Sequence, residues 1–355
     1  MSRICIVGSS NIKHISLISL YTSYFDQNKI PYDIIYWDRH GIDEDISAEN
    51  KFCYRAIAKK GKIKKLIQFF SFRRFALKIL KEKKYDVIIT WQTTTAYLLY
   101  RFLIKSPSAH IINVRDYVME NSFFAKRLIR KLVARSAMNA ISSDGFREFL
   151  PAGEYIKVNS INDSILSGIE VVERSNTQPY KIGFAGNCRY FRECYKLIDA
   201  LSNDPRFEVW YCGTNSEHLA EYAKKHDVHN VFTLPGFNTK ETIKIFERFD
   251  IVNSAFGSDA MDNRTLVPIR LYTALALGLP MLVSSGTQLA TEVEKGNVGF
   301  VISSYDSLAD ELFCYLSEFD KETFLRNCSS YMKNARFENQ RFYEKLSEII
   351  AEVRS

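Results

Sequence analysis

Thr265-Leu266-Val267-Pro268-Ile269-Arg270-Leu271-Tyr272-Thr273-Ala274-Leu275-Ala276-Leu277-Gly278-Leu279-Pro280 runs directly into Met281-Leu282-Val283. Proline suits the first turn of a helix, where its missing N–H is no loss. Ile269, Leu271, Tyr272, Leu275 and Ala276 follow at helical spacing, and Gly278 with Pro280 stops the helix. Met281-Leu282-Val283 then reads as a short buried strand. A helix that starts beside a loop and ends against a parallel strand exposes free amides at its first turn, a ready anion site. An ordinary αβ unit without a ligand is the other reading of this stretch alone.

Outward from it, strands and helices alternate. In the first half the strand candidates are Arg3–Gly8, Tyr32–Trp37, Asp86–Trp91, His110–Val114, Asn139–Ser142 and Tyr155–Val158. Helical patterns such as Ser16–Gln27, Leu66–Lys81 and Thr95–Leu103 lie between them. Ser164–Gln178 has little periodicity and Pro179 follows, which reads as a linker; alternation resumes at Lys181 and continues to about Phe319. Glu338–Val353 is a charged amphipathic helix. Such alternation predicts an α/β fold with parallel sheets covered on both faces, and ligands beyond the carboxyl ends of the strands. A chain of 355 residues suits two domains.

Composition narrows the class. Hydrophobic residues at 46% with 25% charged describe a folded chain, not a disordered one. No apolar run is long enough to span a bilayer. Met1-Ser2-Arg3 leads straight into Ile4-Cys5-Ile6-Val7, so no secretory signal is expected. Seven cysteines, an odd number without a Cys-x-x-Cys pair, read as reduced thiols in a cytoplasmic protein. His226 and His229 lack a third ligand at metal spacing, so no metal is expected.

The 265–280 stretch resembles the donor-site helix of GT-B glycosyltransferases, in particular retaining enzymes similar to family 4. Pro268, Arg270, Leu271, Tyr272, Gly278 and Pro280 fit the pattern Pro-x-(Lys/Arg)-Leu-(Tyr/Phe)-Glu-x-x-x-x-Gly-x-Pro. Lys181-Ile182-Gly183-Phe184-Ala185-Gly186-Asn187 resembles the first strand and glycine turn of the donor domain. Val209–Gly213, Val231–Phe237 and Phe249–Ser254 resemble the next three strands. The match is looser in the first half, where Gly8-Ser9-Ser10 stands for the glycine-rich loop and Arg115-Asp116 for His-Asp. The family's Asn-Gly-x-Asp reads Asn159-Ser160-Ile161-Asn162. Where the family carries two glutamates that hold the donor sugar and ribose, this chain has Thr265 and Thr273. Asp259 and Asp262 are alternative sources of a carboxylate.

The resemblance implies a GT-B architecture of two Rossmann-like domains facing a central cleft. Residues 1–165 would bind the acceptor, 166–179 would link, 180–335 would bind the nucleotide sugar, and 336–355 would return as a helix toward the first domain. It also implies transfer of a sugar to a glycan, a lipid-linked intermediate of capsule, exopolysaccharide or lipopolysaccharide, with retention. The nucleotide sugar is a substrate whose base the residues leave open, and no cofactor is implied.

Departure of a nucleoside diphosphate builds negative charge, so catalysis rests on cations and backbone dipoles aimed at the phosphates. The expected catalytic residues are Arg189, Arg270 and, just past a strand, Asp116, placed to accept or hydrogen-bond the acceptor proton. If the leaving phosphate takes that proton, as the resemblance allows, no carboxylate base is required. Expected donor contacts are Gly186, Asn187, Arg192, Gly213, Gly236, Phe237, Thr265, Val267, Pro268 and Thr273; acceptor contacts are Ser9, Ser10 and Arg115. Each has a plainer alternative: turn glycines, surface arginines, a snorkelled Arg270, a core Phe237, an Arg115–Asp116 ion pair, and a Thr273 hydroxyl bonded to the carbonyl four residues back.

Charge is clustered. Arg55, Lys59, Lys60, Lys62, Lys64, Lys65, Arg73, Arg74, Lys78, Lys81, Lys83 and Lys84 face one acid, Glu82, and alternate with Phe69, Phe70, Phe72 and Phe75. Lys126–Arg135 adds cations and aliphatics at helical spacing. Residues 55–84 and 126–135 therefore read either as an anionic-membrane surface or as solvated helix faces over core aromatics. Without a helix-turn-helix, zinc finger or RNA-binding aromatic motif, nucleic acid is not expected as a partner. Two further functions stay open: a nucleotide-sugar 2-epimerase of the same fold, and a non-catalytic partner of an active transferase.

Overall fold

A computed structural model describes residues 3–15, 17–59, 61–166, 168–173, 177–237 and 241–353. Lys60, one of the clustered cations, lies outside them, as do parts of the expected linker. The chain divides into two compact units, Met1–Asn162 with Phe337–Ser355, and Asp163–Arg336.

The first unit is a seven-stranded parallel sheet of β1 (Ile4–Gly8), β2 (Tyr32–Asp38), β3 (Asn50–Arg55), β4 (Val87–Trp91), β5 (Ala109–Val114), β6 (Met138–Ile141) and β7 (Ile156–Lys157). The order is β3-β2-β1-β4-β5-β6-β7, so it reverses between β1 and β4. Strands β1, β2 and β4 are buried along their whole length, which explains their unbroken apolar runs. β3 was not legible. It is an edge strand, Asn-Lys-Phe-Cys-Tyr-Arg, with no fully buried residue and so no core signature. Right-handed crossovers put the helix Ser19–Gln27 on one face and Lys62–Lys83, Gln92–Lys105 and Phe123–Arg135 on the other.

The second unit has six parallel strands: β8 (Tyr180–Ala185), β9 (Phe207–Cys212), β10 (Val231–Leu234), β11 (Ile251–Ser254), β12 (Met281–Ser284) and β13 (Gly299–Ile302). Their order, β10-β9-β8-β11-β12-β13, reverses between β8 and β11.

The expected linker is not free chain. Val172 N–H donates to Leu277 O at 2.9 Å, and Lys321 pairs with Glu173 at 3.6 Å, so these residues pack on the second unit. The C-terminal helix is far longer than its amphipathic half suggested. It runs Lys321–Glu352, and Phe342, Leu346, Ile349 and Ile350 enter the core of the first unit beside Tyr21 and Phe25. No helix among the described residues is long and apolar enough to cross a membrane.

His110 on β5 is buried, with Nε2 3.0 Å from Thr90 Oγ1. Burial, with Arg135 adding repulsion, holds its pKa down to about 3. The folded state therefore keeps it neutral while the unfolded chain protonates near pH 6.5. Stability from this group is complete above pH 6.5 and falls as pH drops toward 3, by about 3 kcal/mol at pH 4. Urea midpoints measured from pH 7 to 4 are expected to show that slope, and His110→Gln is expected to flatten it.

Candidate functional site

In the second unit the site grows from the strand ends at the reversal between β8 and β11, where open α/β sheets hold ligands. Gly186 follows β8 and Gly213 follows β9, both at positive φ (146° and 130°). The turns touch: a Cβ on Gly213 would stand 1.9 Å from Gly186 O, so only glycine fits there. The contact is tied by Gly186 N–H to Cys212 O at 2.8 Å and Cys188 N–H to Thr214 O at 2.9 Å. Asn215 Nδ2 donates to Asn187 Oδ1 at 2.9 Å.

The helix Ile269–Ala276 begins at the same edge. Pro268 is its N-cap with extended backbone (φ −78°, ψ 155°), one position earlier than the sequence suggested. No side chain caps this end and no acid lies in its first turn. Its leading amides are left for a ligand or water. Val267, the residue before the cap, is buried.

Arg270 projects from that first turn. Its guanidinium stacks over Phe184 (4.4 Å) and Phe256 (5.2 Å), and Nη1 is 3.5 Å from Ser254 Oγ at the end of β11. Nη2 would lie 3.7 Å from a Cβ on Gly186. Burial, then the nearby Arg189, pushes its pKa down to about 10, so it stays charged at neutral pH. Among the described residues no carboxylate pairs with it. A half-buried cation held against aromatic rings and a hydroxyl gains from an arriving anion.

The structure thus brings Gly186, Gly213, Arg189 and Arg270 together beside the helix start. Arg189 itself is exposed. Arg192 is exposed and lies 3.7 Å from Asp259, itself exposed. Gly236 (φ 69°) has nothing within 4 Å of a Cβ, and Phe237 beside it is half-buried. Thr265 and Thr273 are both buried and donate to the carbonyls of Met261 (2.7 Å) and Ile269 (3.4 Å), four residues back. For Thr273 that is the plainer alternative. The carboxylate nearest in kind is Asp262, which accepts from Tyr190 Oη. Sequence reasoning missed Phe184, Phe256 and Ser254. The strand alternation around Phe184 was the available signal; the other two lie in loop and strand-end positions that only the topology makes adjacent.

In the first unit the reversal lies between β1 and β4. Ser9 (buried) and Ser10 (half-buried) follow β1. After β5, Arg115 is buried, with its guanidinium over Trp91 (5.5 Å) and Nη1 3.3 Å from Ser160 Oγ. Asp116 is exposed and Oδ2 accepts from Gln92 Nε2 at 3.2 Å, which holds it near the end of β4. Glu120, not anticipated, is fully buried and accepts from Thr93 Oγ1 and from the amides of Val118 (2.7 Å) and Met119 (2.9 Å). It fixes the loop that carries Asp116. His226 stacks on Tyr222, and His229 sits 3.3 Å from Asp227. Among the described residues no group of His, Cys, Asp and Glu is arranged to hold a metal ion.

No family model matches the sequence, and no curated protein matches it. Solved structures match over nearly the whole chain. Sucrose-phosphate synthase from Thermosynechococcus elongatus superposes with a TM-score of 0.73 at 10% identity, covering 99% of this chain and 100% of that one. Anabaena HepE in complex with UDP and glucose gives 0.68 at 13% identity, over 98% and 100%. A Listeria monocytogenes protein assigned as a UDP-N-acetylglucosamine 2-epimerase gives 0.66 at 10%, over 99% and 98%. At such identities the likeness speaks to architecture, and on that the sheets and the comparisons agree: the chain has the GT-B fold.

Proposed function

We propose that this chain is a glycosyltransferase that moves a sugar from a nucleotide-sugar donor to a glycan acceptor, with the second unit binding the donor and the first the acceptor. The observation that carries this reading is Arg270, a half-buried guanidinium with no carboxylate partner among the described residues, set beside two glycine turns and an uncapped helix start at the sheet reversal. That combination suits a diphosphate: backbone amides and a fixed cation meet charge that grows as the glycosidic bond breaks. Arg189 adds a second, exposed cation. The HepE structure with UDP and glucose shows that a protein of this architecture holds such a ligand.

On the acceptor side Asp116 is the group placed to orient or deprotonate a hydroxyl. Asp116→Asn is expected to lower kcat roughly 10–100-fold and leave the donor KM unchanged. An equal change in both would assign it to binding. Retention, a lipid-linked surface-polysaccharide intermediate as acceptor, and a cytoplasmic location at an anionic leaflet through residues 55–84 and 126–135 belong to the same proposal. The basic clusters support it.

A thermal-shift screen of UDP, GDP, CMP and dTDP with their sugars tests the donor site, because a bound ligand raises apparent stability. One nucleotide class is expected to raise Tm by several degrees. No response to any of them overturns the transferase reading and favours a non-catalytic partner, for which the committed hydroxyls of Thr265 and Thr273 speak. Nucleotide release that requires acceptor supports transfer, whereas sugar interconversion without acceptor assigns the chain as an epimerase.

A further inference from the structure

The sequence left open whether the phenylalanines of 69–75 face the core or the solvent. Phe69 and Phe72 pack on Trp37 (5.2 and 5.9 Å between ring centroids) and Phe75 on Tyr54 (5.7 Å). Phe70 faces out. With it, Ile63, Leu66 and Ile67 complete an i, i+3, i+4, i+7 stripe on the solvent side of the helix Lys62–Lys83, and Ile57 precedes them. A second apolar group stands at the start of the helix Phe123–Arg135: Met119, Phe123 and Phe124. All eight are more than half exposed, from 52% for Phe70 to 78% for Phe124. A solvated surface leaves single apolar residues in water, not a helical stripe of four.

Two features identify the occupant. Both groups sit where a helix leaves the carboxyl end of a strand, after β3 and β5, on one face of one sheet. Both are framed by cations: Lys59, Lys64, Lys65 and Arg74 at the first, Lys126, Arg127, Arg130 and Lys131 at the second, all exposed. Between Ala56 and Lys81 there is no acid at all. Like charge opposes a second copy of this surface; an anionic lipid headgroup layer complements it. Arg73, by contrast, is engaged in the fold, donating to Leu98 O at 2.8 Å.

We infer that the first unit does not merely hover over an anionic leaflet by charge but inserts two apolar prongs, the side chains of Ile57, Ile63, Leu66, Ile67 and Phe70 and those of Met119, Phe123 and Phe124, into the headgroup–acyl boundary. This rests on the membrane-docking part of the proposed function and adds a salt-resistant, apolar component to it.

Co-sedimentation with vesicles of phosphatidylglycerol and phosphatidylcholine, without nucleotide sugar, tests it independently of transfer. The full chain is expected to bind at about 0.1 M salt and to keep a substantial part of that binding at about 0.5 M, where surface charge is screened. Ile63→Ser, Leu66→Ser, Ile67→Ser and Phe70→Ser combined are expected to weaken binding about tenfold or more at either salt. The thermal melt should hold, because these side chains leave the core untouched. Leu66→Trp is expected to be quenched by lipids brominated on their acyl chains. Binding that salt abolishes, with the serine variant equal to wild type and Leu66→Trp unquenched, overturns insertion and leaves charge docking intact. No binding to any vesicle overturns both. A dimer in light scattering that the serine variant dissolves assigns the stripe to a second copy and likewise overturns insertion.

Discussion

Arg270→Ala is expected to lower donor kcat/KM roughly 1,000-fold, about 4 kcal/mol of transition-state stabilisation. The fold itself holds this guanidinium in place, over Phe184 and Phe256 and against Ser254. It needs no reorganisation when the leaving diphosphate gains charge, which is the condition under which a fixed cation contributes most. The fold should survive, since removing a desolvated charge offsets the packing lost between the rings. Circular dichroism and the melting temperature are therefore expected to change little, while the stabilisation of the protein by nucleotide disappears. Arg270→Lys is a sharper version: it keeps the charge but not the planar stack, and an intermediate loss is expected. Full activity of Arg270→Ala would remove the phosphate assignment, and with it the main support for transfer.

Gly213→Ala is expected to cost more than 3 kcal/mol of stability, read as a fall in the urea midpoint. Its Cβ would be driven to 1.9 Å from Gly186 O, and φ at 130° is itself unfavourable for any residue with a side chain. Neither turn yields without breaking the bonds from Gly186 N–H and Gly213 N–H to the neighbouring strand ends. Gly236→Ala serves as the comparison. It has positive φ but open space, so roughly 1 kcal/mol is expected. Equal effects at the two positions would mean that the close approach of the turns does not constrain the site.

The backbone of this molecule was largely legible because burial on both faces writes itself as apolar runs. Ile4–Gly8, Tyr32–Asp38 and Val87–Trp91 are buried throughout, and their sequence shows it. β3 was not, since an edge strand has only partial burial to record. The glycines and Arg270 of the candidate site were named from sequence as well, since a turn glycine and a cation in a helix start carry their chemistry locally. What surrounds Arg270 was not. Phe184, Ser254 and Phe256 come from strand β8, strand β11 and the loop after it, and meet only because the strand order reverses there. Arg192 was named from its position after the glycine turn; in the structure it is exposed and lies 3.7 Å from Asp259, a pairing that no local pattern announces. Glu120 shows a third case, a buried carboxylate whose role is to anchor a loop, which no local pattern distinguishes from a surface acid.

The long helix Lys321–Glu352 imposes an order of events during synthesis. Ile4, Ile6, Tyr21 and Phe25 are made before the second unit, yet the hydrophobic cluster they belong to also requires Phe342, Leu346, Ile349 and Ile350. The second unit, whose strands lie between Tyr180 and Ile302, is contiguous and free to complete itself first. The first unit is therefore incomplete until the residues after 336 are made, and a chain truncated at residue 336 should protect the second unit from protease better than the first.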